Sequence, residues 1–392
     1  MISKLNNILL YTFVIFGFLL CISCKKEDTN SVETKQPIDN EVDFYNNLLM
    51  DRSTYDAIKL DLQNSDKAKD LVSSQLTGSA NIALQDASLD LTNTANIDDA
   101  TKVGKAIYKL SLQFFLFQED ERASKYLDGA KKHLLRWASL NKPTNHTPNE
   151  SAFLNFIYGY SLIKARIDQN SKFLIDKWLS DRFIYYSQLG VRANNWETIR
   201  NALMINIAYV LNNNQFIQTA SNDITKHHNR NYRADGASLD FLARDGFAYH
   251  TYDMFFAAQI VRTIYINKGR QESNNIVNHR STNWVDVRFN PSANPVLGGS
   301  FADAVYFMKP YVIDPAKNIH LEFVNTEWDP DKTRSDYNKP YNSAGSRYVF
   351  VEVAAIMKDE MLIFLRKTNP NFDKYSDLTF YLNSFGPNFL KP

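Results

Sequence analysis

Hydrophobic residues recur every three or four positions along most of the chain, which is the spacing of one face of an α-helix. The stretch KAIYKLSLQFFLFQ places Ile107, Leu110, Phe114 and Phe117 on one such face, and SAFLNFIYGYSLIKARI and KFLIDKWLSDRFIYYSQL repeat the pattern. TIRNALMINIAYVLNN is apolar on nearly every side, which is typical of a helix covered by its neighbours. Short polar loops separate these segments, so the pattern predicts an all-α protein built from successive pairs of amphipathic helices.

Paired helices of this kind form either an α/α toroid or a helical solenoid. We predict an incomplete (α/α) toroid, or barrel, over residues 41–392, with inner helices that include segments 199–211 and 240–266. After residue 283 the pattern loosens into stretches such as NPSANPVLGGS, which we expect to form loops over one end of the barrel. With only 13 glycines and 12 prolines in 392 residues, the composition disfavours a turn-rich all-β protein.

The N-terminus differs in composition from the rest of the chain. An apolar run, ILLYTFVIFGFLLCISC, follows Lys4 and is too short and too early for a membrane span. Its end, where Ser23 precedes Cys24, resembles a bacterial lipoprotein signal; an ordinary secretory signal is the alternative. We expect a signal peptide over 1–23, lipidation at Cys24 and a polar tether over 24–40. The protein would then lie in the periplasm or at the cell surface, anchored to the outer membrane by lipid alone.

Charge and motifs exclude several other functions. The formal net charge of +1 gives no electrostatic reason to expect nucleic acid as a partner. The two cysteines, Cys21 and Cys24, both lie in the N-terminal run, so the mature domain has neither a disulfide nor a cysteine metal site. The sequence contains no nucleotide-binding glycine motif, no HExxH and no GxSxG. We interpret His227 and His228 as an exposed loop pair and expect no metal or other cofactor.

A first candidate segment for chemistry is RANNWETIRNALMINIAYVL, in which two asparagines precede an apolar helix. Asn194 as the N-cap, with Glu197 three residues later, has the pattern of a capping box. One asparagine is enough for the cap, so Asn195 is free to contact a ligand.

A second candidate segment, RADGASLDFLARDGFAYHTYDMFF, carries Arg244, Tyr249, His250 and Tyr252 within a few turns. Abstraction of the proton beside a uronate carboxylate requires donors that neutralise this carboxylate, and asparagine amides and guanidinium groups are suitable donors. A tyrosine whose pKa of about 10 is lowered by a nearby cation can take the proton and return it to the leaving oxygen. The two segments together therefore indicate β-elimination from a uronate.

These segments resemble the alginate lyase family of α/α-toroid polysaccharide lyases, the poly(mannuronate) lyases and their relatives. The resemblance is specific in NNW and in DGASLDFLARDGFAYHTYDM, with a further His-x-Glu-Phe run in NIHLEFVNTEW. It implies that Asn195 binds the substrate carboxylate, that Arg244 assists it or tunes the tyrosine, and that Tyr249 is the catalytic base and acid. We assign substrate contacts to Asn194, Trp196, His250 and Tyr252.

Two histidines that the family usually carries are missing here. Ala248 precedes Tyr249 where members have histidine, and Trp196 and Ile199 occupy the positions where members have a histidine after the asparagine. The candidates to replace them are His146, His250 and His320. A tyrosine without a paired histidine favours mannuronate or glucuronate units, in which the proton and the leaving oxygen lie on the same side of the ring.

We therefore predict a monomeric polysaccharide lyase that cleaves a uronate-containing polymer such as alginate. A surface glycan-binding lipoprotein also fits the composition, with its 21 Tyr, 26 Phe and 5 Trp. An inactive relative that binds without cleaving fits the missing histidines. A helical glycoside hydrolase is a further alternative, because its paired carboxylates are often far apart in sequence. We interpret the pairs Glu119/Asp120 and Asp329/Asp331 as solvated charges.

Overall fold

Helices whose residues are mostly buried alternate along the chain with helices that are buried mainly on one side. The computed structural model describes residues 44, 47–192, 194–282, 284–285, 294, 296–343, 346, 349 and 382. The α-helices are Arg52–Asn64 (α1), Asp66–Val72 (α2), Gly78–Gln85 (α3), Ile97–Leu116 (α4), Ala123–Leu140 (α5), Thr147–Glu150 (α6), Leu154–Ile163 (α7), Gln169–Ser187 (α8), Asn195–Val210 (α9), Asn214–Asn231 (α10), Leu239–Arg244 (α11), Phe247–Lys268 (α12), Arg270–Val277 (α13) and Phe301–Ile313 (α14). Among these residues there are isolated β-bridges but no β-strands, so the all-α prediction is confirmed.

The inner layer consists of α4, α7, α9 and α12, whose residues are mostly buried. These helices pack in succession, α4 against α7, α7 against α9 and α9 against α12. An outer layer covers them: α5 packs on α4, α8 and α10 pack on α9, and α13 packs on α12. The helices are thus paired as the sequence predicts, and their closure into an incomplete toroid stays a prediction.

The hydrophobic face predicted for α4 is confirmed. Ile107, Leu110 and Phe114 are buried in the core, and Phe117 is the partly buried residue at the C-terminal end of the helix. Each fully buried side chain of this size contributes about 1.5–3 kcal/mol to the free energy of unfolding. At the other end, Asn96 caps α4 by accepting hydrogen bonds from two backbone N–H groups of the first turn.

Two polar pairs show that α9 and α12 run in the same direction. The hydroxyl of Thr198 donates to the carboxylate of Asp253, and the hydroxyl of Thr263 donates to Oδ1 of Asn206 at 2.8 Å. Residue numbers rise together along both helices from the first pair to the second. The N-terminal ends of α9 and α12 therefore lie at the same end of the inner layer.

The described part of the chain contains no helix long and apolar enough to cross a membrane. The predicted signal peptide, Cys24 and the tether lie outside the described residues. The region after residue 283, predicted as loops, contains the helix α14. It also contains segment 320–341, which contacts the start of α12.

Candidate active site

A break between α11 and α12 determines where Tyr249 begins its helix. Asp245 adopts a left-handed conformation (φ 50°, ψ 44°), and Gly246 is the N-cap of α12. A Cβ atom at Gly246 would lie 2.3 Å from the ring of Phe323, so a larger residue does not fit without displacing this ring. The segment predicted to belong to the inner helices, 240–266, is therefore divided between α11 and α12. Aspartate tolerates the left-handed conformation better than most residues, which allows the helix to end here.

Glu322 holds the first turn of α12. Its carboxylate accepts hydrogen bonds from the backbone N–H groups of Phe247 and Ala248, each at 2.9 Å. Burial raises the pKa of Glu322 to about 7, although both hydrogen bonds act to lower it. The next residue, Phe323, packs edge-on against the ring of Tyr249 with 5.8 Å between centroids. The His-x-Glu-Phe run thus positions the helix turn that carries Tyr249.

Arg244 connects Tyr249 to a buried carboxylate. Its Nη2 donates to the hydroxyl of Tyr249 at 2.7 Å and to Oδ1 of Asp331 at 2.5 Å, and its Nε donates to Oδ2 of Asp331. The guanidinium carbon lies 4.1 Å from the ring centroid of Tyr249 and 4.1 Å from that of Trp328. The side chain of Asp331 is 0% exposed, so its interpretation as a solvated charge is wrong, whereas Asp329 is exposed.

The pKa of Tyr249 is raised. Burial is the largest cause and Asp331 adds to it, whereas Arg244 and Arg334 act in the opposite direction. The expectation of a lowered pKa for Tyr249 is therefore wrong, although Arg244 does act to lower it. The physical reason is that burial disfavours the phenolate and that Asp331 offsets the charge of Arg244.

Tyr252 lies one helical turn after Tyr249 in a different environment. Its ring packs edge-on against Phe256 at 5.0 Å, and burial raises its pKa to about 12, while a hydrogen bond with Ser151 acts to lower it. Among the described residues, Arg244 donates a hydrogen bond to Tyr249 and none to Tyr252. Of the two tyrosines, Tyr249 therefore has the cation that can stabilise a phenolate.

Asn195 is the first residue of α9 and is 4% exposed. Its backbone N–H donates to Oδ2 of Asp240 at 2.5 Å, and its side-chain amide has no hydrogen-bond partner among the described residues. Asn194 is the N-cap, as predicted, because its side chain accepts from the backbone N–H of Trp196 at 3.2 Å. The predicted capping box is absent, since the carboxylate of Glu197 accepts from Arg200 and from the backbone N–H of Arg192.

Asn195 and Tyr249 lie at the same end of the inner layer. Asn195 precedes Thr198 by three residues and Tyr249 precedes Asp253 by four, and the pair Thr198–Asp253 joins the two helices. Residues three or four apart share a face of a helix. Both predicted catalytic side chains therefore stand one turn before this contact.

A buried network supports that end of the site. The hydroxyl of Thr198 lies 2.6 Å from Nε2 of His227, and Asn231 donates to Oδ2 of Asp253 at 2.7 Å. Burial raises the pKa of Asp253 to about 6 and lowers that of His228 to about 4. The interpretation of His227 and His228 as an exposed loop pair is wrong, because both are buried on α10. Their mixed apolar and polar surroundings in the sequence gave no sign of this.

His250 is fully buried, with both ring nitrogens engaged. Nδ1 lies 2.9 Å from the hydroxyl of Ser238, and Nε2 lies 3.0 Å from the carbonyl oxygen of Ala304. Burial lowers its pKa to about 4. His250 therefore joins α12 to α14, and its predicted contact with substrate stays a prediction. His320 is likewise tied to the protein, since its Nε2 donates to the carbonyl oxygen of Asp245 at 3.0 Å.

Trp196 lies partly exposed beside Asn195. The ring of His146 is 4.8 Å from its ring, and the guanidinium carbon of Arg192 is 4.3 Å from its ring centroid. His146 is exposed. Of the candidate histidines, it is the one whose ring contacts Trp196, a position where family members carry histidine. No group of three or more His, Cys, Asp or Glu residues that could hold a metal occurs in the described ranges.

A family model for alginate lyases matches residues 52–281, which is more than half of the chain. The matched range contains Asn195, Arg244 and Tyr249 and ends before Glu322 and Asp331. No curated protein matches the chain. The extent of the family match, over the helices that carry the Asn, Arg and Tyr of the site, shows that this chain belongs to the alginate lyase family.

Proposed function

We propose that the protein cleaves a uronate-containing polysaccharide by β-elimination, with Tyr249 as base and acid. Membership of the alginate lyase family supports a polysaccharide lyase. The observation that carries the finer proposal is the 2.7 Å hydrogen bond from Arg244 to the hydroxyl of Tyr249. A cationic donor at this distance stabilises a phenolate, which is the form of tyrosine that acts as a base.

In the proposed reaction, the phenolate of Tyr249 removes the proton at C5 of the uronate. The electron pair moves toward the carboxylate, where the amide of Asn195 donates to the developing negative charge. The bond between C4 and the glycosidic oxygen then breaks, a double bond forms between C4 and C5, and Tyr249 returns the proton to the leaving oxygen. Because burial favours the neutral phenol, the reaction requires that Tyr249 first lose its proton to solvent.

The surroundings of Tyr249 support mannuronate or glucuronate as the unit that is cleaved. Ala248 carries no titratable group, and His250 is turned into the protein with both nitrogens engaged. A single group then serves as base and acid, which suits units whose C5 proton and leaving oxygen lie on the same side of the ring.

The test is incubation of the purified protein with polymannuronate, polyguluronate and glucuronan, followed by ultraviolet absorbance. Elimination creates an unsaturated uronate that absorbs in the ultraviolet, and hydrolysis does not. We expect absorbance to rise with polymannuronate or glucuronan. Binding of all three polymers without any increase in absorbance would favour an inactive, glycan-binding relative, and release of saturated oligosaccharides would favour a hydrolase.

A further inference from the structure

The guanidinium groups beside Tyr249 are already paired with carboxylates. Arg244 is bound at two points by Asp331, and Arg334 donates to both oxygens of Asp336, each at 2.8 Å. A uronate carboxylate that approaches Tyr249 must compete with these internal partners. A second cation without an internal carboxylate would bind the substrate at a lower cost in free energy.

Arg192 is such a cation. Within the described residues it forms no ion pair, its Nη1 is buried without a hydrogen-bond partner, and its Nη2 has one long contact, 3.5 Å to the carbonyl oxygen of Asn145. Its guanidinium is held in place by the ring of Trp196 at 4.3 Å. Because a buried donor without a partner is unfavourable, Nη1 has a hydrogen bond to gain from an acceptor that reaches it.

The position of Arg192 relates it to the predicted catalytic residues. Trp196, on which the guanidinium lies, directly follows Asn195, whose amide is also without a partner among the described residues. The backbone N–H of Arg192 donates to Glu197 at 3.2 Å, which holds Arg192 against the first turn of α9. The free donors of Arg192 and Asn195 therefore belong to residues three positions apart at the N-terminal end of α9.

The carboxylates near Arg192 bind other groups. Glu197 is paired with Arg200, and Asp240 accepts the backbone N–H of Asn195. Neither forms an ion pair with Arg192. The positive end of the α9 dipole adds to the attraction for an anion at this place.

We propose that Arg192, together with the amide of Asn195, forms a binding site for a uronate carboxylate of the polymer. Arg244 instead donates its hydrogen bond to the hydroxyl of Tyr249 and does not bind this carboxylate. The guanidinium presents two parallel N–H donors to a carboxylate, a geometry that a neutral sugar does not match. This inference rests on the proposed function, since it assumes that the polymer bound at Tyr249 carries carboxylates.

The test compares Arg192→Gln, which removes the charge, with Arg192→Lys, which keeps it. Both are made in a Tyr249→Phe background, so that binding of a mannuronate oligosaccharide is measured without turnover. We expect Arg192→Gln to weaken binding by roughly tenfold or more, the scale of one lost charge-assisted contact, and Arg192→Lys to weaken it less. Arg52→Ala is the matched control, because Arg52 is an exposed arginine paired with Asp56 on α1.

Equal binding by the Gln variant and the Tyr249→Phe parent would overturn the inference, as would equal losses in the Gln and Lys variants. The proposed function is judged separately, from ultraviolet absorbance produced by the wild-type protein. A wild-type protein that cleaves the polymer while Arg192→Gln binds it normally would refute the role of Arg192 and leave the lyase proposal standing.

Discussion

Arg244 and Asp331 are 87 residues apart in sequence, yet they form a two-point ion pair next to the hydroxyl of Tyr249. Arg244 lies inside the range matched by the family model, and Asp331 lies outside it. The pair keeps the guanidinium in position to donate to Tyr249 while it reduces the positive charge that the phenol experiences. Both residues therefore influence the pKa of Tyr249, in opposite directions.

Replacement of the two tyrosines distinguishes their roles. We expect Tyr249→Phe to lower the rate of elimination by at least ~10²-fold, the scale of a lost general acid–base group, without loss of folding. Tyr252→Phe is the matched control, because it removes the same hydroxyl one turn away. Rates of product formation for the two variants measure this difference. An inactive Tyr252→Phe together with an active Tyr249→Phe would show that Tyr252 is the base and acid.

Asp331→Asn changes the pH dependence of the reaction. Asp331 raises the pKa of Tyr249, so removal of its charge lowers this pKa, while the asparagine oxygen can still accept from Arg244. We expect the ascending limb of the pH profile of kcat to move to lower pH. A profile recorded for wild type and variant tests this. A shift to higher pH would show that Arg244 loses its contact with Tyr249 when the charge of Asp331 is removed.

Glu322 makes stability depend on pH in an unusual direction. Its pKa is about 7 in the folded protein and 4.5 in the reference state, so the folded protein binds this proton more tightly. Glu322 therefore adds about 3 kcal/mol to the free energy of unfolding below about pH 4.5, and this stabilisation is lost as the pH rises to about 7. We expect the difference in free energy of unfolding between wild type and Glu322→Gln to change accordingly between pH 4.5 and 7. Urea denaturation at several pH values measures this difference, and a pH-independent difference would contradict the prediction.

Lipidation of Cys24 is a prediction from the sequence that concerns residues outside the described structure. The apolar run and the Ser23–Cys24 junction motivate it. We expect Cys24→Ala to move the protein from the membrane fraction to the soluble fraction after cell disruption, as judged by immunoblotting. If the variant is as firmly membrane-bound as the wild type, the lipoprotein prediction is wrong.

Local sequence patterns predicted the features that depend on local interactions. The burial of Ile107 and Leu110 follows from helical spacing, and the capping role of Asn194 follows from its place before an apolar helix. The break at Asp245 also had a local signal, because Asp-Gly is a common turn dipeptide. The flanking hydrophobic residues continue a helical spacing across the break, and this spacing hides the signal.

Contacts between distant segments could not be predicted from the same patterns. Glu322 caps a helix that begins 75 residues earlier, and nothing near it in the sequence indicates this partner. The carboxylate of Asp331 looks like any other charge in a polar loop until the fold brings Arg244 to it. The sequence gives no sign of the partners of His250 either, since only the fold brings Ser238 and Ala304 to its two ring nitrogens.

Tyr249 lies on α12, whereas several residues that position it belong to segment 320–341, and this separation affects how such a protein changes during evolution. Tyr249 stands on a helix of the inner layer, where substitutions disturb the packing of several neighbours. Asp331, Glu322 and Trp328 belong to a segment that follows the family-matched helices, and they contact the start of α12 or the end of α11. Substitutions in that segment can change the pKa of Tyr249 and the side chains that pack against it while the helical layers stay as they are. Divergence in substrate preference among relatives of this chain should therefore accumulate in the region corresponding to residues 320–341.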